Sequence, residues 1–196
     1  MKFHRYLEKI LGSKVKVEIV RTLLKHPTMI YGGRELARQT KGISHMAVFK
    51  SIKDLIDYNL VKVEYHGGVQ FIKLNRRSYL YKPLKSLFYC EDRSRDELIR
   101  YIKKLFLGYK EIEVIVLFGS IAKGIEEVDS DIDLLIIAED KERINEIIAE
   151  NQKKITDKFG NIVSAMVLNR KEFKKKEKLG VMKKIKKEGV LVFCKI

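Results

Sequence analysis

Residues 117–134 read LFGSIAKGIEEVDSDIDL, and they hold the residue types best suited to chemistry in this chain. The stretch joins a Gly119-Ser120 turn to two aspartates, Asp131 and Asp133, set two positions apart. The apolar run EVIVLF before the turn has strand composition, so Gly119 and Ser120 are expected where a strand stops and a helix begins. Such a junction favours phosphate. Glycine lets the backbone approach an anion closely, and the free N–H groups of a first helical turn point at it. Ser120 adds a hydroxyl donor. Asp131 and Asp133 open the next apolar run, DIDLLIIA. On a strand, residues i and i+2 face the same way with Cα atoms about 6.5–7 Å apart. Two hard oxygen ligands on one face suit Mg2+ or Mn2+, which take a few carboxylates together with phosphate oxygens. The expected ligands are therefore a divalent metal and a nucleoside triphosphate, as substrate or as bound effector.

Over residues 117–138, Gly119, Ser120, Asp131 and Asp133 stand in a register that resembles the nucleotidyltransferase superfamily related to DNA polymerase beta, and within it the minimal nucleotidyltransferases. Lys123 and Gly124 fit the same pattern. The resemblance implies that Gly119 and Ser120 hold the triphosphate, that Asp131 and Asp133 bind the metal as the catalytic pair, and that Lys123 lies near the phosphates. It also implies a third carboxylate on the following core strand, expected at residues 161–168, NIVSAMVL. No acid stands there. Ser164, Ala165 and Met166 occupy the expected places, and Asp157 and Glu172 lie outside the run. In a two-metal displacement the third acid helps bind the metal that activates the attacking hydroxyl, so its loss weakens transfer more than nucleotide binding. Glu139 and Asp140 follow the metal strand and read as loop residues.

The net charge of +15 is unevenly spread over the 196 residues. Residues 1–90 carry 18 Lys and Arg against 6 acids, residues 91–170 carry 13 against 17, and residues 171–196 carry 10 against 3. The basic footprint lies at the two ends. A polyanionic partner for the first ninety residues is the natural expectation, since Lys and Arg facing a phosphate backbone release counterions. A hydrophobic content of 45% with mean hydropathy of -0.20 suits packed cores in one or two domains. No apolar run reaches the length of a membrane-spanning helix, and residues 1–11 lack a signal peptide's apolar middle, so a cytoplasmic protein is expected. Cys90 and Cys194 stand far apart, and His4, His26, His45 and His66 are scattered, which excludes a disulfide framework and a structural zinc motif. Abundant Lys, Glu and Ile with only 3 Gln lean toward a thermophile.

Pattern inside the first ninety residues sharpens the charge argument. Residues 13–25 read as an amphipathic helix capped by Ser13 and closed before Pro27, a second helix is expected at 33–40, and Ser44 caps a third through about Tyr58. Val48, Ile52, Leu55 and Ile56 make the expected buried stripe of that third helix. Two alternating runs, 61–65 and 69–74, join through His66-Gly67-Gly68-Val69, a hairpin signal. Residues 13–75 thereby resemble the winged helix-turn-helix family, three helices plus a two-stranded wing. That resemblance implies duplex DNA as partner. By position, Ser44, His45, Met46, Phe49, Lys50 and Lys53 become candidates for groove contact, and His66, Lys73, Arg76 and Arg77 for phosphate contact.

The expected layout is α+β with two domains: a winged helix at 1–78, a helical connector at 79–110, and an α/β nucleotidyltransferase fold with a small mixed sheet at 111–196. In the connector, Leu98, Ile102, Leu105 and Phe106 give a helical apolar face able to pack on a sheet or on a second copy, and a homodimer is a plausible assembly. Helices are expected at 141–158 and 170–187, and strands at 114–119, 131–138, 161–168 and 190–195. The Lys runs at 174–178 and 183–187 read first as a solvated helix face, with the gathering of phosphates from a nucleotide or nucleic acid as the alternative. Together these readings predict a nucleotide-responsive DNA-binding regulator; the alternative is an active transferase that moves a nucleoside monophosphate to a hydroxyl of protein or nucleic acid.

Overall fold

A computed structural model describes residues 11–40 and 43–195. The chain divides into two compact units that meet between Asp92 and Arg93.

In the N-terminal unit, α1 (Lys14–Lys25) starts at Ser13, whose side chain accepts a hydrogen bond from the Lys16 amide. Its apolar face, Val17, Ile19, Val20 and Leu23, is buried. After β1 (Ile30–Gly32) come α2 (Gly33–Gln39) and α3 (His45–Asp57), the latter capped by Ser44 through the Ala47 amide. Val48, Ile52 and Leu55 are buried as the periodicity predicts, but Ile56 is 41% exposed: the stripe is narrower than expected. β2 (Val61–His66) and β3 (Val69–Leu74) form an antiparallel hairpin whose turn residues, Gly67 and Gly68, both have positive φ, which only glycine adopts freely. β1 pairs with β3, giving the order β1-β3-β2. α4 (Tyr81–Asp92) closes this unit. Phe88 joins its core, and Arg21 is held between Glu18 at 2.6 Å and Glu91 at 2.8 Å, all three buried.

The C-terminal unit opens with α5 (Ser94–Phe106), whose Leu98, Ile102 and Phe106 enter a different core. The segment expected as a connector is therefore shared out between two cores. A four-stranded mixed sheet follows, in the order β6-β5-β4-β7, from β4 (Ile112–Phe118), β5 (Ile132–Ala138), β6 (Val163–Leu168) and β7 (Val190–Cys194). β5 and β6 run parallel; β4 is antiparallel to both β5 and β7. α5 and α7 (Lys141–Phe159) cover one face through Leu134, Ile136 and Ala138. The other face, with Leu135, Ile137 and Leu168, lies under α8 (Arg170–Lys176) and α9 (Gly180–Glu188) through Phe173, Met182 and Ile185. A single helix was expected at 170–187; instead Leu179, with extended backbone angles, caps a second helix starting at Gly180.

Candidate functional site

β4 ends at Phe118, and the short helix α6 (Gly119–Lys123) starts immediately, so Gly119 and Ser120 stand at a strand-to-helix junction. Gly119 has φ +76°, and a Cβ built there would lie 1.9 Å from Asp133 Oδ2. Only glycine fits. Phe118 is the register partner of Asp133, which sets the turn directly against the carboxylate. The backbone of the Gly-Ser turn and the Asp133 side chain consequently share one small space.

Strand alternation puts Asp133 on the same sheet face as Leu135 and Ile137. Asp131 is exposed one residue before β5, and Asp133 is half-buried. Burial, and after it the negative charge of Asp131, push the Asp133 carboxyl above the usual aspartate range. A carboxylate whose ionisation is made costlier by burial and by a neighbouring carboxylate suits a cation seat, because a divalent ion offsets that cost. The donor set fits magnesium with substrate phosphate oxygens completing its shell. Among the described residues no group of three or more His, Cys, Asp or Glu could hold a metal.

The loop that delivers Asp131 is braced by a residue sequence reasoning passed over. Asn161 is 4% exposed and donates from Nδ2 to the carbonyls of Ser130 at 2.8 Å and Val128 at 3.4 Å. The Thr156 hydroxyl donates to the Asn161 carbonyl, and Gln152 Nε2 donates to the Thr156 hydroxyl. A polar residue just before an apolar strand, following a Gly160 helix end, was the one available signal.

The parallel register pairs Asp133 with Ser164, which is exposed, and Leu135 with Met166. Ala165 points to the opposite face. Ser164 is thus the β6 residue beside Asp133, and no carboxylate stands at that position. Glu172 instead caps α8 with Asn169 and pairs with Lys141, while Asp140 caps α7 through the Arg143 amide. Asp140 lies two residues beyond the far end of β5, with about 17 Å of strand between Asp133 and Ala138. Lys123, at the end of α6, makes an ion pair with Glu188 at 2.7 Å.

On the N-terminal unit, Ser44, His45, Met46, Lys50 and Lys53 are exposed on α3. Phe49 is half-buried: its ring abuts Gly33, and His45 stacks on it with ring centroids 4.4 Å apart. Packing takes up that side chain. His66, Arg76 and Arg77 are exposed, whereas Lys73 pairs with Glu64. Cys90 and Cys194 are free and exposed. No helix among the described residues is long and apolar enough to cross a membrane.

Comparison with known proteins bears on the C-terminal unit. Residues 100–196 match the family described as Polymerase beta, Nucleotidyltransferase, so this part of the chain is a polymerase beta-like nucleotidyltransferase domain. No curated protein matches the chain. Among solved structures, a toxin-antitoxin crystal structure with AMP-PNP is 21% identical, with a TM-score of 0.37 over 50% of this chain and 73% of that one. A mutant of the toxin-antitoxin MntA-HpeT is 19% identical at a TM-score of 0.37, over the same shares of the two chains. A second MntA-HpeT mutant is 19% identical at 0.35, over 48% of this chain and 71% of that one.

Proposed function

We propose that the C-terminal domain binds a nucleoside triphosphate with Mg2+ or Mn2+, and that the N-terminal unit is a winged helix binding duplex DNA, so that the chain is a nucleotide-responsive transcriptional regulator. The observation that carries the nucleotide site is the fit of Gly119 against Asp133, 1.9 Å from a would-be Cβ to Oδ2. A phosphate turn and a metal-binding carboxylate are thereby one site. Gly119 and Ser120 hold the phosphates, and Asp131 and Asp133 hold the metal. A divalent metal held there by Asp131 and Asp133 would neutralise phosphate charge. DNA binding is supported by exposed Ser44, His45, Met46, Lys50 and Lys53 on α3 and by Arg76 and Arg77 after the hairpin. Nucleotide occupancy alters DNA affinity through a difference in the states each ligand prefers.

Ser164 opposite Asp133 favours binding over transfer. The second reading, an active transferase, draws on the intact Gly-Ser turn and Asp pair: a nucleoside monophosphate passes to a hydroxyl of protein or nucleic acid, and pyrophosphate leaves. Both readings are separated by incubating the protein with magnesium and labelled nucleoside triphosphates, with and without DNA, RNA and cellular protein. Nucleotide binding without label transfer, with DNA affinity that changes on nucleotide addition, supports the regulator. Asp-dependent transfer supports the enzyme. Ser164→Asp is expected to raise transfer above the wild-type level by restoring the third ligand.

A further inference from the structure

The positive charge of the C-terminal unit is not spread over it. Residues 93–169 carry 12 Lys and Arg against 15 acids, whereas residues 170–188 alone carry 10 against 3. Those nineteen residues are α8, α9 and the turn between them. A requirement for solubility alone would not charge one cap to +7 and leave the other seventy-seven residues at -3. All ten basic side chains are exposed. Arg170 pairs with Glu113 and Lys186 with Glu177, and among the described residues the other eight meet no carboxylate within 4 Å. The cap's own acids are engaged too: Glu172 with Lys141 and Glu188 with Lys123.

Position gives this charge a direction. Phe173, Met182 and Ile185 seat both helices on the sheet face that carries Leu135 and Ile137, and Asp133 shares that face. The 2.7 Å pair between Glu188 and Lys123 brings the end of α9 to the end of α6, the helix that begins at Gly119. Met182 and Ile185 are buried, whereas Lys183, Lys184 and Lys187 are exposed, with Lys187 about one helical turn beyond the other two. A helical turn spans about 5.4 Å.

We propose that α8 and α9 form a polynucleotide-docking surface in the C-terminal unit, distinct from the α3 face, along which a phosphate backbone runs toward the Gly119-Asp133 site. The chemistry recognised is a chain of phosphodiesters, with lysines acting as point charges and no base read directly. The surface does not depend on the nucleotide reading, because none of its residues belongs to the Gly-Ser turn or the Asp pair.

The test uses the full chain and anisotropy of two labelled probes, a single-stranded RNA of about twenty nucleotides and a DNA duplex of the same length, over a series of salt concentrations. In the variant K174Q/K175Q/K178Q/K183Q/K184Q/K187Q, affinity for at least one probe is expected to fall at least tenfold at low salt. The slope of log affinity against log salt should shrink by about 0.7 per lost contact for RNA or about 0.9 for duplex. Which probe responds identifies the partner. The same six positions changed to Arg should restore binding, which a folding defect would not allow. Asp131→Asn with Asp133→Asn should leave probe affinity undiminished, which separates this surface from the nucleotide site. Unchanged affinity and slope in the Gln variant would overturn the proposal, as would equally tight binding of poly-glutamate in competition.

Discussion

The two units place charge in different ways. Around Gly119 the arrangement is close and partly buried: one glycine, one register pair and one half-buried carboxylate leave almost no freedom. At α3 the candidate DNA contacts are mostly exposed side chains; Ser44 caps the helix, His45 stacks on Phe49, and Phe49 itself is taken up by packing. Small rigid ligands demand geometry, so their sites constrain backbone and side chain together. A phosphate backbone demands only charge at roughly the right place, and many surfaces can offer that. Single substitutions should therefore break the first region and only erode the second.

Gly119→Ala is the strongest single test of the contrast. The new Cβ must displace Asp133 on a backbone held at φ +76°, so nucleotide affinity should fall about 100-fold, the upper end of what disturbing an outer-shell partner costs. Calorimetric titration of the nucleotide with magnesium measures this, and a change below twofold would mean that the turn does not hold phosphate. On α3 and the hairpin exit, four changes together, K50A/K53A/R76A/R77A, are expected to weaken DNA binding and lower the salt slope by up to about 0.9 for each lost contact. Nucleotide affinity should not move. A full loss of DNA binding from any one of the four would contradict the diffuse character claimed for that surface.

Asn161→Ala removes both bonds to the loop before Asp131, at a cost of about 1–3 kcal/mol in stability, and should weaken metal-dependent nucleotide binding about tenfold. Denaturant melts together with a manganese titration separate the two effects. The smallest effect concerns pH. Asp133 has its carboxyl raised by burial and by Asp131, so its ionised form destabilises the metal-free fold. The stabilising contribution of the protonated form is present at low pH and lost as pH rises through the raised pKa. Metal affinity should rise over that same interval and then level off. Asp133→Asn should remove the pH step and raise the melting temperature of the metal-free protein by a few °C at neutral pH, of order one to three after solvent screening.

Legibility followed the same division. The Gly119-Ser120 strand-to-helix junction, the Ser13 and Ser44 caps and the Gly67-Gly68 hairpin all rest on local chemistry and form where the sequence puts them, whereas Asp131, expected on the strand with Asp133, falls one residue before it. β1 was not foreseen, because three residues between Pro27 and Gly33 carry no alternation and owe their pairing to β3. The break between α8 and α9 was hidden because residues 170–188 are rich in the helix formers Lys and Glu, with Gly180 the weakest helix former among them. Asn161 could not be recognised as a brace, since its partners are backbone carbonyls some thirty residues away. Ile56 fell at the edge of a periodic stripe, where the angle of the neighbouring elements decides burial.

The most direct measurement is a calorimetric titration of ATP in the presence of magnesium into the wild-type chain and into the double variant Asp131→Asn with Asp133→Asn. Magnesium-dependent binding at one site in the wild type, weakened at least about 100-fold in the variant while DNA affinity without nucleotide is kept, is the predicted result. Unchanged nucleotide affinity in the double variant would contradict the assignment of the metal and phosphate site.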